Sequence, residues 1–224
     1  MHPLAGLIHE AAEGRFPAAD GSWTRVPPWR AGVEAVVAFT GHAVFAVEDR
    51  VRDTELAGLG ADGFGGAHQP MLIAALARGG WIDSLDGLLV GAGTGTGEAR
   101  GTGGLLVDRP DLAGHPRVAF AARLRDDLRV LGREDRTDSS VVVLARGIAG
   151  LTELSFELDP HRRGAGGGTA LVRAALAAVP AGEAVLAACA PGNAASMRAL
   201  LRAGLTLIGS IQLYTPGVSG RAGR

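Results

Sequence analysis

Two glutamates close to a glycine-rich turn are the residues of this chain best suited to chemistry. Glu153 and Glu157 lie in a segment, residues 151–158, in which polar and apolar side chains alternate. A period of two predicts a β-strand with one apolar face toward the core and one polar face that carries both carboxylates. A carboxylate held beside a ligand can accept a proton as a general base. Since exposed strand faces are also polar, a solvated face without a chemical role is the alternative interpretation.

The turn after this strand is suited to binding an anion. It reads Arg163-Gly164-Ala165-Gly166-Gly167-Gly168 and leads into Thr169 and a run of apolar residues at helical spacing. The first N–H groups of a helix have no partner inside the helix and lie at the positive end of its dipole. A turn without side chains lets phosphate oxygens reach these donors, and Arg163 adds a positive charge. A glycine turn that only caps the helix is the alternative.

Two common phosphate-binding motifs do not explain this turn. A P-loop needs a lysine followed by serine or threonine, and the chain contains no lysine. A dinucleotide-binding fingerprint has its first glycine directly after the strand, whereas residues 159–162 intervene here. Only Glu183 lies near the position of the acidic residue that this fingerprint also requires.

Arg163, Gly166 and Gly168 fit another pattern, which is Gln or Arg, two residues, Gly, one residue, and Gly or Ala. In these residues the segment resembles the pyrophosphate-binding motif of the GNAT superfamily of acyl-CoA N-acyltransferases. The similarity continues downstream, where residues 183–190 look like the family's next strand. Residues 191–204 look like its asparagine-containing helix, and residues 205–214 like its closing strand. The resemblance covers about residues 140–214, which is under half of the chain.

The resemblance implies an α/β, GNAT-like acyl-CoA N-acyltransferase fold, with a mixed, mainly antiparallel sheet flanked by helices. It implies acetyl-CoA as the acyl donor and a primary amine, in a small molecule or a protein, as the acceptor. The turn would bind the diphosphate, while the end of the strand and the last helix would bind the pantetheine arm. The cofactor-binding residues that follow are Leu158, Arg163, Gly164, Ala165, Gly166, Gly167, Gly168, Thr169, Asn193 and Ser196. Asn193 is also well suited to cap the last helix.

The resemblance also assigns catalytic roles, with alternatives. Glu153 lies near the place of the base that accepts the proton of the amine, and a bulge in the strand would promote Glu157 instead. Many family members have a tyrosine in the last helix that protonates the thiolate, and this chain has Leu200 there. Ser196, Tyr214 or water could donate that proton. The expected activity is acetyl transfer to a primary amine. A non-catalytic acyl-CoA-binding sensor and an interaction protein are the alternatives.

Composition favours a globular, cytoplasmic protein. Of 224 residues, 47% are hydrophobic and 20% charged, and the formal net charge of -1 supplies no field that attracts nucleic acid or an anionic membrane. We therefore expect neither nucleic acid nor a membrane as a partner. The sequence leaves open whether the chain forms a homodimer. The single cysteine, Cys189, is expected in the core, and neither a signal peptide nor an apolar run of 18 residues is found. The six histidines lack metal-ligand spacing, so no metal site is expected.

Periodicity predicts the remaining elements. Helices are expected at residues 3–13 and 70–78 and from Pro116 through Leu131, and strands at residues 33–39, 43–47, 85–90 and 141–145. His42, in the turn between the first two strands, is interpreted as a surface residue, with a role in a pocket as the alternative. The glycine-rich residues 91–97 are interpreted as a surface turn, because no apolar helix follows them.

The predicted organisation has three parts. Residues 1–115 would complete the sheet or form a cap, and would contribute to an acceptor pocket. Residues 116–215 would form the acetyl-CoA-binding core, and residues 216–224 a flexible tail.

Overall fold

The structure is a computed structural model, and it describes residues 1–95, 105–164 and 166–217. Within these residues the chain is α/β, with mixed, mostly antiparallel strand pairing and flanking helices, which confirms the coarse fold class. The chain divides into two compact units. The first comprises Met1–Gly87 together with the chain from Ile208 onward, and the second comprises Leu88–Leu207. The boundary predicted near residues 110–116 lies inside the second unit, and most of the predicted tail lies outside the described residues.

The helices and strands have the following bounds. The helices are α1 (Pro3–Ala12), α2 (Asp53–Gly58), α3 (Pro70–Ala77), α4 (Pro116–Leu124), α5 (Gly167–Ala177) and α6 (Ala194–Ala203). The strands are β1 (Trp23–Val26), β2 (Glu34–Phe39), β3 (His42–Ala46), β4 (Trp81–Ala92), β5 (Leu106–Asp108), β6 (Asp126–Arg133), β7 (Val141–Arg146), β8 (Thr152–Glu157), β9 (Ala184–Cys189) and β10 (Thr206–Thr215).

The first unit contains the predicted hairpin. β2 and β3 pair antiparallel up to Phe39 and His42, β1 pairs parallel with β3, and β10 pairs antiparallel with β2. Gly41 in the turn has a φ of +72°, and a Cβ there would lie 2.5 Å from the Cα of Ala19. Only glycine fits this position, because it tolerates positive φ and has no side chain.

His42 is not the surface residue that its place in the turn indicated. It is 9% exposed, and its ring nitrogens lie 3.0 Å from Ser22 Oγ and 3.0 Å from Thr24 Oγ1. Parallel pairing brings the start of β3 beside β1, and the two hydroxyls satisfy the buried ring. Its role is to join these strands.

The second unit has helices on both faces of its sheet. β5, β6, β7 and β8 pair antiparallel in chain order, and β9 joins β8 in parallel. On one face, α5 packs its apolar side chains on Val142, Leu144 and Leu154. On the other face, Val118 and Ala121 of α4 pack on alternate residues of β7. Each face of β7 and β8 is therefore covered.

The helix predicted from Pro116 through Leu131 is wrong in its second half. α4 ends at Leu124, and β6 begins at Asp126 with an irregular register and a positive φ of 52° at Asp127. Leu128 and Leu131 are three apart, which places them on one side of a helix but on opposite sides of a strand. In β6, Leu128 packs with the cluster of α4 and Leu131 with the cluster of α5, so both residues are apolar although they face opposite sides. Leu131 is buried in a core cluster of the second unit as a strand residue.

The glycine-rich segment from Gly91 is described only as far as Gly95, and the rest of it lies outside the described residues. The N–H groups of Gly93, Thr94 and Gly95 donate to the carbonyls of Glu183, Leu176 and Val179. These donors are already bonded within the second unit, so they are not available to a phosphate group. For the described residues 91–95 this agrees with the interpretation that they do not bind phosphate.

Candidate functional site

A cleft of about 620 Å³ opens where β8 ends and where α5 and α6 begin. β8 pairs with β9 only at Thr152 and Glu153, so beyond these residues the described parts of the two strands no longer pair. The glycine turn and both helix N-termini occupy the space beside the end of β8. The lining residues are Arg117, Phe156, Glu157, Leu158, Arg163, Gly164, Gly166, Gly167, Gly168, Thr169, Asn193, Ala195, Ser196, Arg198, Ala199 and Arg202.

Asp159 fixes the entrance to the turn. Its carboxylate accepts hydrogen bonds from the N–H of Ser139 (3.0 Å), the hydroxyl of Ser139 (2.8 Å) and the N–H of His161 (2.8 Å). These bonds stabilise the charged form, and they lower the pKa of Asp159 to about 2. The anchored carboxylate therefore fixes the position of the backbone where the turn begins.

The glycine turn presents the first amides of α5 to the cleft. Gly166 is the N-cap, with a φ of +77°, and has no side chain with which to satisfy the helix. The N–H of Ala170 donates to the carbonyl of Gly166 at 3.2 Å. The amides of Gly167, Gly168 and Thr169 precede this bond, so they have no acceptor within the helix. An anion in the cleft would find three amide donors and the positive end of the dipole.

The backbone of the turn lies very close to its neighbours, which explains two of its glycines. A Cβ on Gly167 would lie 2.7 Å from the carbonyl oxygen of Arg162, and one on Gly168 would lie 3.1 Å from the Cβ of Ala199 in α6. Larger residues would push the turn away from α6. Ala165, the remaining member of the predicted loop set, lies outside the described residues.

Asn193 caps α6, as its residue type predicted. Its Oδ1 accepts a hydrogen bond from the N–H of Ser196 at 3.2 Å. Both residues line the cleft, as does the start of α5. The predicted cofactor residues that the structure describes therefore lie together around one cleft, together with Glu157.

The cleft is strongly basic. Arg117, Arg163, Arg198 and Arg202 line it, and Glu157 is the one carboxylate among the described lining residues. The Nε of Arg117 lies 3.6 Å from Oε2 of Glu157, whose side chain is 40% exposed. Sequence reasoning did not select Arg198 or Arg202, although their spacing of four on a helix places them on one face. No sequence pattern connects Arg117 with the other arginines, because it lies in a distant part of the chain.

Glu153, the favoured base, lies in the interior of the second unit and does not line the cleft. Its carboxylate pairs with Arg125 and accepts a hydrogen bond from the N–H of Ile148 at 3.3 Å. The side chain is 2% exposed. The expectation of an open polar face fails here because α4 contacts β8 on that face.

Tyr214 also does not line the cleft. It belongs to the first unit, is fully buried in that unit's core and pairs with Glu34 in the β2–β10 register. Burial, and then the neighbouring Glu34 carboxylate, raise the pKa of Tyr214 well above its ordinary value. Leu200, at the place of the family's tyrosine, is buried in the second unit.

The described residues contain no cluster of three or more His, Cys, Asp or Glu side chains that could hold a metal ion. Cys189 is buried, with its sulfur 3.6 Å from the carbonyl oxygen of Ala190. Among the described helices, none has the length and apolar character needed to cross a membrane.

Comparisons of the chain with protein-family models, with curated proteins and with solved structures gave no match.

Proposed function

We propose that the chain is an N-acetyltransferase of the GNAT type, which transfers the acetyl group of acetyl-CoA to a primary amine. One observation carries the proposal. The end of β8, the N-terminus of α5 without a side-chain cap, Arg163, and the Asn193 cap of α6 surround a single basic cleft. The diphosphate and the amide groups of acetyl-CoA each have a counterpart in that set.

The diphosphate is assigned to the start of α5. The amides of Gly167, Gly168 and Thr169 supply aligned donors, and Arg163 supplies a charged fork at the mouth of the turn. Four arginines against one carboxylate give the cleft an excess of positive charge. Charge-assisted hydrogen bonds to phosphate are about twice as strong as neutral ones, so this part of the ligand would dominate affinity.

The pantetheine arm is assigned to the open edge of β8. This arm contains two amide bonds, and an extended chain with amides can add to a strand edge through main-chain hydrogen bonds. The edge is open because the pairing with β9 stops at Glu153. Phe156, Leu158 and Asn193 line the same cleft.

Glu157 is the base in this proposal, in place of Glu153. It lies in the cleft and is partly exposed, whereas Glu153 is held in a buried ion pair. The amine nitrogen, once deprotonated, attacks the thioester carbonyl. The C–N bond forms, the C–S bond breaks, and Glu157 accepts the proton of the amine. Water or the hydroxyl of Ser196 returns a proton to the thiolate, because Tyr214 belongs to the core of the first unit.

A non-catalytic acyl-CoA-binding sensor is the second candidate. The burial of Glu153 and of Tyr214 favours it, since two of the three predicted catalytic side chains do not line the cleft. Such a protein would bind the thioester and leave it intact.

Release of free thiol from acetyl-CoA, measured over a panel of primary amines, tests the proposal. An enzyme releases thiol at a rate that depends on the amine, above the rate of hydrolysis without amine. Binding of acetyl-CoA without amine-dependent release would favour the sensor. If the protein neither binds acetyl-CoA nor releases thiol, both candidates fail.

A further inference from the structure

A second cavity, of about 660 Å³, adjoins the cleft. We call it the arginine cavity. The two spaces share the wall formed by Arg163, Gly166, Gly167, Thr169 and Arg202. A single extended ligand could therefore enter both.

The lining of the arginine cavity is cationic. Five arginines and one histidine line it, and no carboxylate occurs among its described lining residues. These basic residues are Arg133, His161, Arg162, Arg163, Arg173 and Arg202. Gathering five guanidinium groups around one space is unfavourable unless an anion offsets their repulsion.

Part of this charge is offset by a buried carboxylate behind the cavity. Oδ2 of Asp138 lies 3.2 Å from Nε of Arg133 and 3.2 Å from Nε of Arg162, and the Asp138 side chain is 0% exposed. The N–H of Ser140 donates to the other carboxylate oxygen at 2.8 Å. Asp138 therefore places one buried negative charge next to two of the guanidinium groups.

Two other arginines of the cavity contact main-chain carbonyl oxygens. Arg173 donates to the carbonyl of Arg202 at 2.8 Å, and Arg163 lies 3.5 Å from the carbonyl oxygen of Leu158. A carbonyl oxygen has no net charge that could offset a guanidinium group. Arg162 also lies 3.8 Å from Oδ2 of Asp135, and the five arginines outnumber the two carboxylates Asp138 and Asp135.

We propose that the arginine cavity binds a second phosphate group of the ligand, the monoester on the 3′ position of the ribose of coenzyme A, so that the protein selects the 3′-phosphorylated cofactor. This inference rests on the proposed function. A phosphate monoester carries a charge between about -1.5 and -2 near neutral pH, more than a diphosphate ester gives to each phosphorus. It is the most highly charged single group of coenzyme A, and the arginine cavity is the complementary space beside the diphosphate site.

Calorimetric titration with acetyl-CoA and with acetyl-dephospho-CoA tests the inference. The two ligands differ only in the 3′-phosphate. We expect the wild-type protein to bind acetyl-CoA at least about tenfold more tightly, since one charge-assisted contact is worth that much. Arg173→Gln, which alters a residue of the arginine cavity alone, should reduce the difference to about threefold or less. Its affinity for acetyl-dephospho-CoA should stay within about twofold of wild type.

Two further variants serve as a repeat of the test and as its control. Arg162→Gln, also confined to the arginine cavity, repeats the test if Arg173→Gln does not fold. Arg198→Gln, which lines the cleft but not the arginine cavity, should weaken both ligands by the same factor. Equal affinity of wild type for the two ligands would overturn this inference and leave the proposed function standing. Absence of binding by either ligand would overturn both.

Discussion

Arg125 and Glu153 form an ion pair inside the second unit, with side chains only 8% and 2% exposed. Arg125 is the C-cap of α4 and Glu153 lies in β8, so the pair joins the helix to the strand it covers. Two charges taken out of water are tolerated only while each has its partner. The geometry of the pair places Glu153 between α4 and β8, and among the described lining residues of the cleft Glu157 is the carboxylate.

Replacing Glu153 by glutamine should destabilise the fold. The substitution removes the negative charge that Glu153 places against the buried Arg125, which costs about 3–5 kcal/mol. Urea denaturation should show a lower midpoint at unchanged slope. The double variant Arg125→Met with Glu153→Leu should be more stable than Glu153→Gln, because it removes both charges. A Glu153→Gln protein that unfolds at the wild-type midpoint would show that the pair contributes nothing.

Replacing Glu157 by glutamine should impair the reaction and not the fold. The side chain is 40% exposed, so the free energy of unfolding should change by less than about 0.5 kcal/mol. Loss of a general base should lower the amine-dependent rate of thiol release about 10²- to 10⁴-fold. Glu134→Gln makes the same chemical change at an exposed residue that does not line the cleft, and should leave the rate unchanged. An unaltered rate in Glu157→Gln would remove this residue from the mechanism.

Alanine at Gly166 should weaken ligand binding, because its methyl group would occupy space in the cleft. Backbone strain alone would not have this effect. Gly166 and Gly182 have φ values of +77° and +80°, and a Cβ at either meets nothing within 4 Å. Both alanine variants should therefore lose about 1–2 kcal/mol of stability to the left-handed backbone. Only Gly166 lies in the cleft, so only Gly166→Ala should also lower the affinity for acetyl-CoA in a calorimetric titration. Equal affinities in the two variants would argue against contact between the ligand and this part of the turn.

His68 in the first unit should make stability fall in mild acid. Burial lowers the pKa of His68 to about 4, and its Nε2 lies 3.1 Å from Ser210 Oγ. The unfolded chain takes up this proton below about pH 6.5, whereas the folded protein takes it up only below about 4. Its contribution to stability is therefore complete above pH 6.5 and is lost as the pH falls toward 4. His68→Gln, which cannot titrate, should show a smaller decline of the urea midpoint over this range. The same decline in both proteins would contradict the assignment.

Local patterns predicted the elements that build the cleft. The alternation of residues 151–158 predicted β8, the glycines predicted the turn, and the residue type of Asn193 predicted the cap of α6. Each of these depends on neighbours within a few residues, where propensity and backbone sterics decide the outcome. The Thr40-Gly41 turn of the β2–β3 hairpin was predicted for the same reason.

Features that depend on distant residues were not predicted. The burial of Glu153 requires α4, whose Arg125 lies 28 positions earlier in the chain. No local pattern could show that this helix covers the polar face of β8. The end of α4 at Leu124 was also missed, because Leu128 and Leu131 have helical spacing, and only the fold shows that both faces of β6 are covered. The arginines of the cleft come from α4, the turn and α6, and only the fold brings them together.

A calorimetric titration of coenzyme A into the wild-type protein and Arg163→Glu tests most directly whether the glycine turn binds the diphosphate. The wild type should bind with measurable heat. Arg163→Glu should bind about 10- to 100-fold more weakly, because it removes a charge-assisted hydrogen bond and adds a repulsive charge. Arg52→Glu, which makes the same change of charge at an exposed residue that does not line the cleft, should bind like wild type. Absence of heat with the wild-type protein, or equal affinity of wild type and Arg163→Glu, would contradict the assignment of the cleft to coenzyme A.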